Sequence, residues 1–506
     1  MSKQRIGITL LVIALLSIFR IAPAKAQGGG WSEPYQLSSG AGKASEATLV
    51  ADQYGYVHCF WSETLFENQR TILQYARFDG GTWSAPNDIH ITSNEIKSIS
   101  AVLDQYGKLH IVWIESVLGG NGRVYYTYAP ASNALSVQNW APPLRIPIPA
   151  GIVRLQVDSK GVFHILYVNR GEELGVYYVR SEDQGQTWSE PLWLDPDILP
   201  HHTPDSLNFE LDENGGLHAV WFYGSLERGG HADWVRYVHS LDGGETWSSP
   251  LLIDRYVEES EYSLDAASPI MIVQGQTVHV IWAAGQQAYR HHRFSTDAGL
   301  TWSAPAQIFG ELQGQAFDGF AVDGAGRVYF FGQIRYPIGI YEAQWDNNQW
   351  TPASLIYLIA QEGAQPLSEA ELADSIQGQF GDRVHAHHTH PIVRAGNQLV
   401  LTFADGPADP NRRLFAMYRT LDDIAPLETK PTPTSPPTLI PPPSLTPTQP
   451  EPTPTATATP AVLNGGGVQP SAEIPRADSA LQFGLVPVLL LLGGTIFFRW
   501  WYNHKS

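Results

Sequence analysis

The chain has 506 residues, with 50 acidic against 31 basic side chains and a formal net charge of −19. Such an acidic chain lacks the basic stripe that nucleic-acid phosphates require, so we exclude nucleic acid as a partner. The single cysteine, Cys59, excludes an intrachain disulfide. Because it lies in the apolar run Val57–Trp61, we expect a buried thiol with a packing role.

Residues 1–26 have the pattern of a signal peptide. Two basic residues precede an apolar run over residues 6–19, and an A-x-A cleavage site ends at Ala26. Arg20 interrupts the apolar run, which leaves an uncleaved anchor as the alternative. We expect an exported chain whose first folded domain covers residues 27–423.

A unit of four short strands recurs from Trp31 to about Leu421. In each unit an apolar strand leads through a tight D-x-x-G turn into a second strand, followed by a strand rich in Tyr and Arg and an outer strand of the form W-S-x-P. Asp and Gly suit such turns, because Asp bonds nearby backbone amides and Gly tolerates positive φ. Evenly spaced short strands predict an all-β fold, and four antiparallel strands per unit predict the blades of a β-propeller.

Seven units are present, which favours seven blades, with six as the alternative. The last unit ends at Leu414–Thr420 without an outer strand, whereas the repeat region opens with an unpaired outer strand, Trp31–Leu37. Pairing the two would close the ring and remove its exposed edges. We therefore predict Trp31–Leu37 as the outer strand of the seventh blade.

The motif S-x-D-x-G-x-T-W occurs three times, at Ser181–Trp188, Ser240–Trp247 and Ser295–Trp302. Its Asp and Gly tighten a turn, and its Trp packs under the sheet. A recurrence every 50–60 residues or so is typical of a repeat protein. The residues assigned to these turns, in a structural role, are Asp183, Gly185, Trp188, Asp242, Gly244, Trp247, Asp297, Gly299 and Trp302.

This motif resembles the Asp box, or bacterial neuraminidase repeat, of sialidase-like β-propellers. The resemblance implies that the Asp boxes lie on the face opposite the substrate pocket. The known sialidases have six blades, so a seventh unit is a departure from that family.

A histidine recurs at the start of the second strand in successive units, at His58, His110, His164, His218 and His279. Equivalent positions in successive blades lie around a ring, whereas ligands of one metal ion lie about 2 Å from it. We therefore expect packing and hydrogen-bonding roles for these histidines. The sequence predicts neither a metal site nor a cofactor.

In a propeller blade, the loop before the first strand and the loop between the second and third strands line the upper face, where ligands usually bind. His201 and His202 precede the first strand of the fourth unit, and Arg383 and His385 lie in an insertion before the seventh. A strand carrying His385 supplies only two ligands per face, which argues against zinc. We predict these four residues as ligand-binding positions on a polar rim.

The resemblance to sialidases implies three arginines that hold a carboxylate, a Tyr nucleophile helped by a Glu, and an Asp acid/base. Tyr262, Glu261 and Asp265 form the only neighbouring set of these types, and Arg154 lies in a first strand near the axis. Leu144–Pro147 resembles the Phe-Arg-Ile-Pro motif of that family, but it occupies the outer strand of a unit and matches the repeat.

No complete arginine triad is visible in the sequence. We therefore favour a binding module that recognises a glycan or a surface protein through its upper face. The alternative is an exo-sialidase that releases terminal sialic acid through a Tyr intermediate.

The C-terminal part changes composition sharply. Residues 424–480 are rich in Pro and Thr, which predicts an extended spacer, or stalk. Residues 481–499 are apolar enough for one transmembrane helix, although a processed sorting signal is the alternative. The basic residues in and around 500–506 predict a cytoplasmic tail. We expect a protein anchored once in the cell membrane with its propeller outside.

Overall fold

The computed structural model describes residues 30–45, 47–116, 120–198, 201–258, 268–285, 287–314, 318–335, 338–357, 389–405 and 412–432. The chain divides into two compact units, and the second, Thr438–Ser506, lies outside these ranges. The predicted signal peptide, transmembrane helix and cytoplasmic tail also lie outside them. Within them, no helix is long and apolar enough to cross a membrane.

The strands of these ranges form seven antiparallel sheets, which we number as blades. Blade 1 contains β2 (Gly42–Ala44), β3 (Thr48–Ala51), β4 (Val57–Leu65), β5 (Thr71–Phe78) and β6 (Asn87–Thr92). Blade 2 contains β7 (Glu95–Leu103), β8 (Lys108–Ser116), β9 (Gly122–Pro130) and β10 (Leu144–Ala150). Two short 3-10 helices, Ala131–Asn133 and Val137–Asn139, lie between β9 and β10.

Blade 3 contains β11 (Ile152–Val157), β12 (Phe163–Asn169), β13 (Gly175–Ser181) and β14 (Leu192–Trp193). Blade 4 contains β15 (His202–Leu211), β16 (Leu217–Ser225), β17 (Ala232–Ser240) and β18 (Leu251–Arg255). Blade 5 contains β19 (Ile270–Gln274), β20 (Thr277–Ala284), β21 (Tyr289–Ser295) and β22 (Ala306–Ile308).

Blade 6 contains β23 (Gly319–Val322), β24 (Val328–Arg335), β25 (Ile338–Asp346), β26 (Gln349–Trp350) and β27 (Ser354–Tyr357). Blade 7 contains β28 (His390–Arg394), β29 (Gln398–Asp405), β30 (Arg413–Thr420) and, as its outer strand, β1 (Tyr35–Gln36).

The seven blades close into a ring. The innermost strand of each blade contacts the innermost strand of the next, and β28 of blade 7 contacts β3 of blade 1. The N-terminal strand completes blade 7, with Tyr35 opposite Ala416 and Gln36 opposite Phe415. The predicted seven-bladed propeller is confirmed, the six-bladed alternative is wrong, and the predicted pairing of the N-terminal segment is confirmed.

The hydrophobic core lies in layers between neighbouring blades, because each sheet is covered on both faces. A tryptophan from the second strand is fully buried in four blades, at Trp61, Trp113, Trp221 and Trp282. Cys59, on the second strand of blade 1, is buried among apolar side chains, and this burial raises the pKa of its thiol. Leu144–Ala150 is the outer strand of blade 2 and Arg145 is exposed on it, so the motif there is a repeat element.

The turns between first and second strands lie at one end of the ring, which we call the lower face. The loops between second and third strands lie at the opposite end, the upper face. This division follows from the antiparallel strand order within each blade.

Candidate functional site

The lower face carries a repeated Asp–His–Tyr network. In blade 1, His58 Nδ1 lies 2.8 Å from the Tyr75 hydroxyl oxygen and His58 Nε2 lies 3.1 Å from Asp52 Oδ2. Burial lowers the pKa of His58, so its imidazole is neutral at pH 7. The corresponding His–Tyr bonds in blades 2, 3 and 4 are 2.8, 2.8 and 2.7 Å long and join His110 to Tyr126, His164 to Tyr178 and His218 to Tyr237.

These histidines therefore hold the lower turns of their own blades. Asp52 also accepts bonds from the backbone N–H groups of Tyr54 and Tyr56, at 2.9 and 2.7 Å, which closes the turn. In the described part of the chain, no group of three or more His, Cys, Asp or Glu side chains is arranged to hold a metal ion.

The Asp-box turns also lie on the lower face. The Asp297 carboxylate accepts bonds from the Thr301 N–H at 2.8 Å, the Thr301 hydroxyl at 2.6 Å and the Ser295 hydroxyl at 2.7 Å. The same three bonds form at Asp183 and Asp242. The threonine hydroxyl bond is the main reason that the pKa of each of these three carboxyls is lowered to about 2.

Each Asp box packs against the preceding blade. Trp302 of blade 5 meets the Tyr237 ring of blade 4 edge-on, with centroids 4.8 Å apart. Trp247 of blade 4 meets Tyr178 of blade 3 in the same way at 5.0 Å. The tryptophan of each of these Asp boxes thus packs on a tyrosine of the preceding blade. The role of these boxes is to hold neighbouring blades together.

The upper face carries a different arrangement, in blade 4. His202 begins β15, and its Nε2 lies 2.7 Å from Asp233 Oδ2 at the start of β17. The His202 ring stacks on Trp234, with centroids 4.9 Å apart and planes at 5°. Asp233 also accepts a bond from the Arg228 guanidinium, which lies 3.3 Å over the Tyr256 ring. We call these five residues the His202 cluster.

The chain folds this way because the loop before β17 contains two adjacent glycines, Gly229 and Gly230. Gly229 and Gly230 have φ of +70° and +92°, a region that glycine adopts without strain. A Cβ on Gly224 would lie 2.6 Å from the Gly230 carbonyl oxygen, so the two segments approach closely only without side chains. The loop thereby holds Arg228 beside Asp233, and β15 presents His202 on the other side.

The cluster is ordered but reachable from solvent. The side chains of His202, Asp233 and Arg228 are 11%, 18% and 26% exposed. One aspartate is shared between an imidazole and a guanidinium, and aromatic rings stack on both of these groups. Such a site offers several hydrogen-bonding groups beside flat apolar surface in a fixed geometry.

Two other upper-face arginines are also paired with aspartates. Arg170 of blade 3 lies 2.9 Å from Asp205 at a half-exposed position. Arg290 of blade 5 is fully buried and binds both oxygens of Asp318, at 2.8 and 3.0 Å. The second pair connects blades 5 and 6 and is closed to ligands.

Arg154 lies on the innermost strand of blade 3, where the first strands surround the channel of the ring. Its Nη1 donates to Ser98 Oγ of blade 2 at 3.0 Å. Glu210 lies on the innermost strand of blade 4, and its side chain is half-buried. Desolvation by the surrounding protein raises the pKa of its carboxyl to about 8. The Arg154 charge opposes that rise, and desolvation outweighs it.

The predicted site residues thus fall in three places. Arg154 lines the channel, whereas His202 lies on the upper face beside the exposed His201, whose φ is +64°. The other predicted residues lie outside the described ranges: Glu261, Tyr262, Asp265, Arg383 and His385.

Sequence reasoning missed the other four members of the His202 cluster, which are Arg228, Asp233, Trp234 and Tyr256. The signal was available for two of them, because Arg228 and Asp233 lie in or next to the loop between the second and third strands. That loop was predicted to line the upper face.

The fold is that of a seven-bladed β-propeller. Comparison with models of known protein families gave no match, and neither did a search of curated proteins. Similar solved structures include a protein of unknown function from Dyadobacter fermentans DSM 18053, with 14% identity, 79% of this chain and 100% of that chain covered, and a TM-score of 0.46.

Two enzymes are also among the similar structures. The NanB sialidase from Streptococcus pneumoniae has 12% identity and a TM-score of 0.43, with 78% of this chain and 70% of that chain covered. A polysaccharide lyase of family PL25, an ulvan lyase, has 12% identity and a TM-score of 0.49, with 78% and 94% covered. Since all three TM-scores lie below 0.5, the fold assignment rests on the blades themselves.

Proposed function

We propose that this protein is a glycan-binding propeller whose upper face recognises sugar hydroxyl groups through the His202 cluster. The observation that carries the proposal is Asp233, which is shared by His202 and Arg228 while aromatic rings flank both partners. Carboxylate, imidazole and guanidinium groups bind vicinal hydroxyls, and an adjacent aromatic ring packs against the C–H face of a sugar.

The charge pairing favours binding over sialidase chemistry. A clamp for a substrate carboxylate needs guanidinium groups whose charge is available to the substrate. Arg170, Arg228 and Arg290 of the described upper face each pair with an aspartate instead. A neutral or hydroxyl-rich part of a glycan suits this face better than a carboxylate does.

The test is a glycan array probed with the purified full chain. We expect binding that is lost in both Asp233→Asn and His202→Phe, each of which keeps the shape of the cluster. His202→Phe removes the hydrogen bond to Asp233, and Asp233→Asn leaves one acceptor oxygen where His202 and Arg228 now use two. Glu213→Gln, an exposed change on the lower face, is the control and should bind like the unchanged protein.

A fluorogenic sialoside separates the two function classes. If the protein hydrolyses the sialoside and this activity disappears in Tyr262→Phe and Arg154→Ala, the protein is an exo-sialidase and not a binding module. If neither glycan binding nor turnover is observed, the glycan-binding proposal is wrong and a protein partner is the remaining interpretation.

We also propose that the propeller is displayed outside the cell, held by the stalk and a helix over residues 481–499. The support is the sequence pattern of residues 1–26 and of the apolar C-terminal segment. Protease added to intact cells should release a soluble propeller by cutting within residues 433–480. Release by a carbonate wash alone would contradict the membrane helix.

A further inference from the structure

A cavity of about 620 Å³ lies on the outer side of the ring between blades 5 and 6. Its floor is formed by His292 and Phe294 of β21, one wall by the segment after β22 that includes Phe309, and the other by the hairpin of β25 and β26. It lies apart from the His202 cluster and shares no lining residue with it.

The cavity occurs where blades 5 and 6 depart from the repeat. The third strand of blades 1 to 4 places a tyrosine against the lower histidine, whereas blade 5 places His292 there, 3.0 Å from His279. Blade 6 replaces the Asp box with a two-residue hairpin turn, in which Asn347 and Asn348 have φ of +49° and +61°. Positions that depart from a structural repeat are often functional sites, so a cavity at such a position is a candidate binding site.

The walls of the cavity are aromatic. Trp345 and Trp350 lie with centroids 5.2 Å apart at 60°, and both are half-buried. Trp345 rests edge-on against the His292 ring at 5.0 Å, which fixes the indole in place. Tyr341 and Phe309 complete the apolar surface.

The polar part of the lining is uncharged. Among the described residues, no Lys, Arg, Asp or Glu lines the cavity, and the rim carries the amide side chains of Gln307, Asn348 and Gln349. His292 is neutral at pH 7, because burial lowers its pKa to about 2. Amides offer both donors and acceptors, which matches hydroxyl groups and gives no preference for a charged ligand.

Phe309 is held in a strained backbone conformation, with φ of +64°. A bulky residue rarely adopts this region, and such strain is concentrated at ligand sites and clamps. Its ring covers Gly332 so closely that a Cβ there would lie 2.4 Å from it. This conformation places the Phe309 ring in the cavity wall.

We propose that this cavity binds a neutral saccharide, one or two pyranose units in size. Indole faces stack on the C–H face of a pyranose, and the rim amides bond its hydroxyls. The volume lies within the range of small-molecule sites, roughly 300–1,000 Å³. The site is independent of the glycan proposed for the upper face, and the two are distinguished by their variants.

The chain offers a matched pair of substitutions for the test. Ala304, which lines the cavity, belongs to a Trp-Ser-Ala-Pro segment, and Ala85 occupies the same position of the same segment in blade 1. Both alanines are exposed. Ala304→Trp places an indole inside the cavity, whereas Ala85→Trp adds the same side chain elsewhere.

We would titrate the full chain, both alanine variants and His202→Phe with maltose, cellobiose, lactose and chitobiose, and follow tryptophan fluorescence and saturation-transfer NMR. We expect saturable binding of at least one of these disaccharides, weakened at least tenfold by Ala304→Trp and unchanged by Ala85→Trp. Thermal melting of each variant establishes that it is folded.

Three results would overturn the proposal. The first is no saturable change with any of the four sugars. The second is equal binding by the Ala304→Trp protein. The third is sugar binding lost in His202→Phe but kept in Ala304→Trp, which would assign all recognition to the upper face.

Discussion

At the scale of single residues, contacts between blades depend on glycines that leave no room for a side chain. A Cβ on Gly299 would lie 2.0 Å from the Tyr237 hydroxyl oxygen of the preceding blade, with φ of +88°. Gly215 has nearly the same φ, +87°, and open space around it. Substitutions at these two glycines therefore separate the energetic cost of backbone strain from that of a steric clash between blades.

We expect Gly215→Ala to cost about 1–2 kcal/mol from the left-handed backbone alone. Gly299→Ala should cost a further ~1–3 kcal/mol because the methyl group forces Tyr237 to move. Chemical denaturation measures both. In a double-mutant cycle, Tyr237→Phe should relieve part of the Gly299→Ala cost, and strict additivity would show that the contact is unimportant.

The exposed Asp-box carboxylates predict a loss of stability in acid. Because the folded pKa of Asp297 is lowered to about 2, its contribution is complete above its usual value of 3.8 and disappears as pH falls through 2. Asp297→Asn should therefore lower the melting temperature at pH 7, and the difference from the unchanged protein should vanish near pH 2. Asp88→Asn, an exposed position outside any box, is the charge-matched control.

Glu210 predicts the opposite dependence on pH. Its folded pKa is raised from 4.5 to about 8, so the folded state holds a proton that the unfolded state releases. The free energy of unfolding should thus decrease as pH rises from 4.5 to 8, and Glu210→Gln should abolish that decrease. Melting curves from pH 5 to pH 9 test it, with Glu213→Gln as control. A constant difference between Glu210→Gln and the unchanged protein would refute it.

At the scale of elements, ring closure depends on a strand of two residues, β1. Ser32 and Leu37 on either side of it donate backbone hydrogen bonds to Tyr418 and Leu414, each 2.8 Å long. Trp31 is buried between blades 6 and 7, 5.9 Å from the Phe331 ring. The segment therefore covers the open edge of β30 and fills part of the core.

Deleting residues 31–37 should destabilise the whole domain, because it exposes an edge strand and removes a buried indole, which typically costs about 3–5 kcal/mol. Deleting residues 27–30 is the control and should have little effect. A synthetic peptide of residues 31–40 should restore the lost melting temperature by pairing with β30. Unchanged melting after deletion of 31–37 would mean that closure depends on other contacts.

The strand order was predictable from the sequence because each blade repeats the same local signals. The D-x-x-G turns, the Asp boxes and the alternating aromatic residues act over a few residues, so their spacing alone predicts seven blades. The His202 cluster was not predictable in this way. His202 and Asp233 are 31 residues apart, and only the glycine-containing loop and the β15–β17 arrangement bring them within hydrogen-bonding distance.

At the scale of the whole molecule, the ring has a second closure on its lower face. Residues 423–432 follow this face across three blades, although the composition of all but Asp423 assigned them to the spacer. Asp423 binds Arg327 of blade 6 at 2.6 and 3.2 Å. The Leu427 N–H donates to Ala395 of blade 7 at 2.9 Å, and the Lys430 N–H donates to Gln53 of blade 1 at 2.8 Å.

This segment crosses the junction between blades 7 and 1, where the two ends of the repeat region meet, so its removal should weaken the ring at that junction. We expect truncation after Leu421 to reduce the free energy of unfolding by roughly 1–3 kcal/mol, since the two backbone hydrogen bonds to Ala395 and Gln53 are lost and the Asp423 ion pair is mostly exposed. Truncation after Thr432 keeps every contact of the segment and serves as the matched control. Hydrogen exchange should then show faster opening of β1, β3 and β30 in the shorter protein alone. Equal exchange in both truncated proteins would leave β1 as the sole closure of the ring.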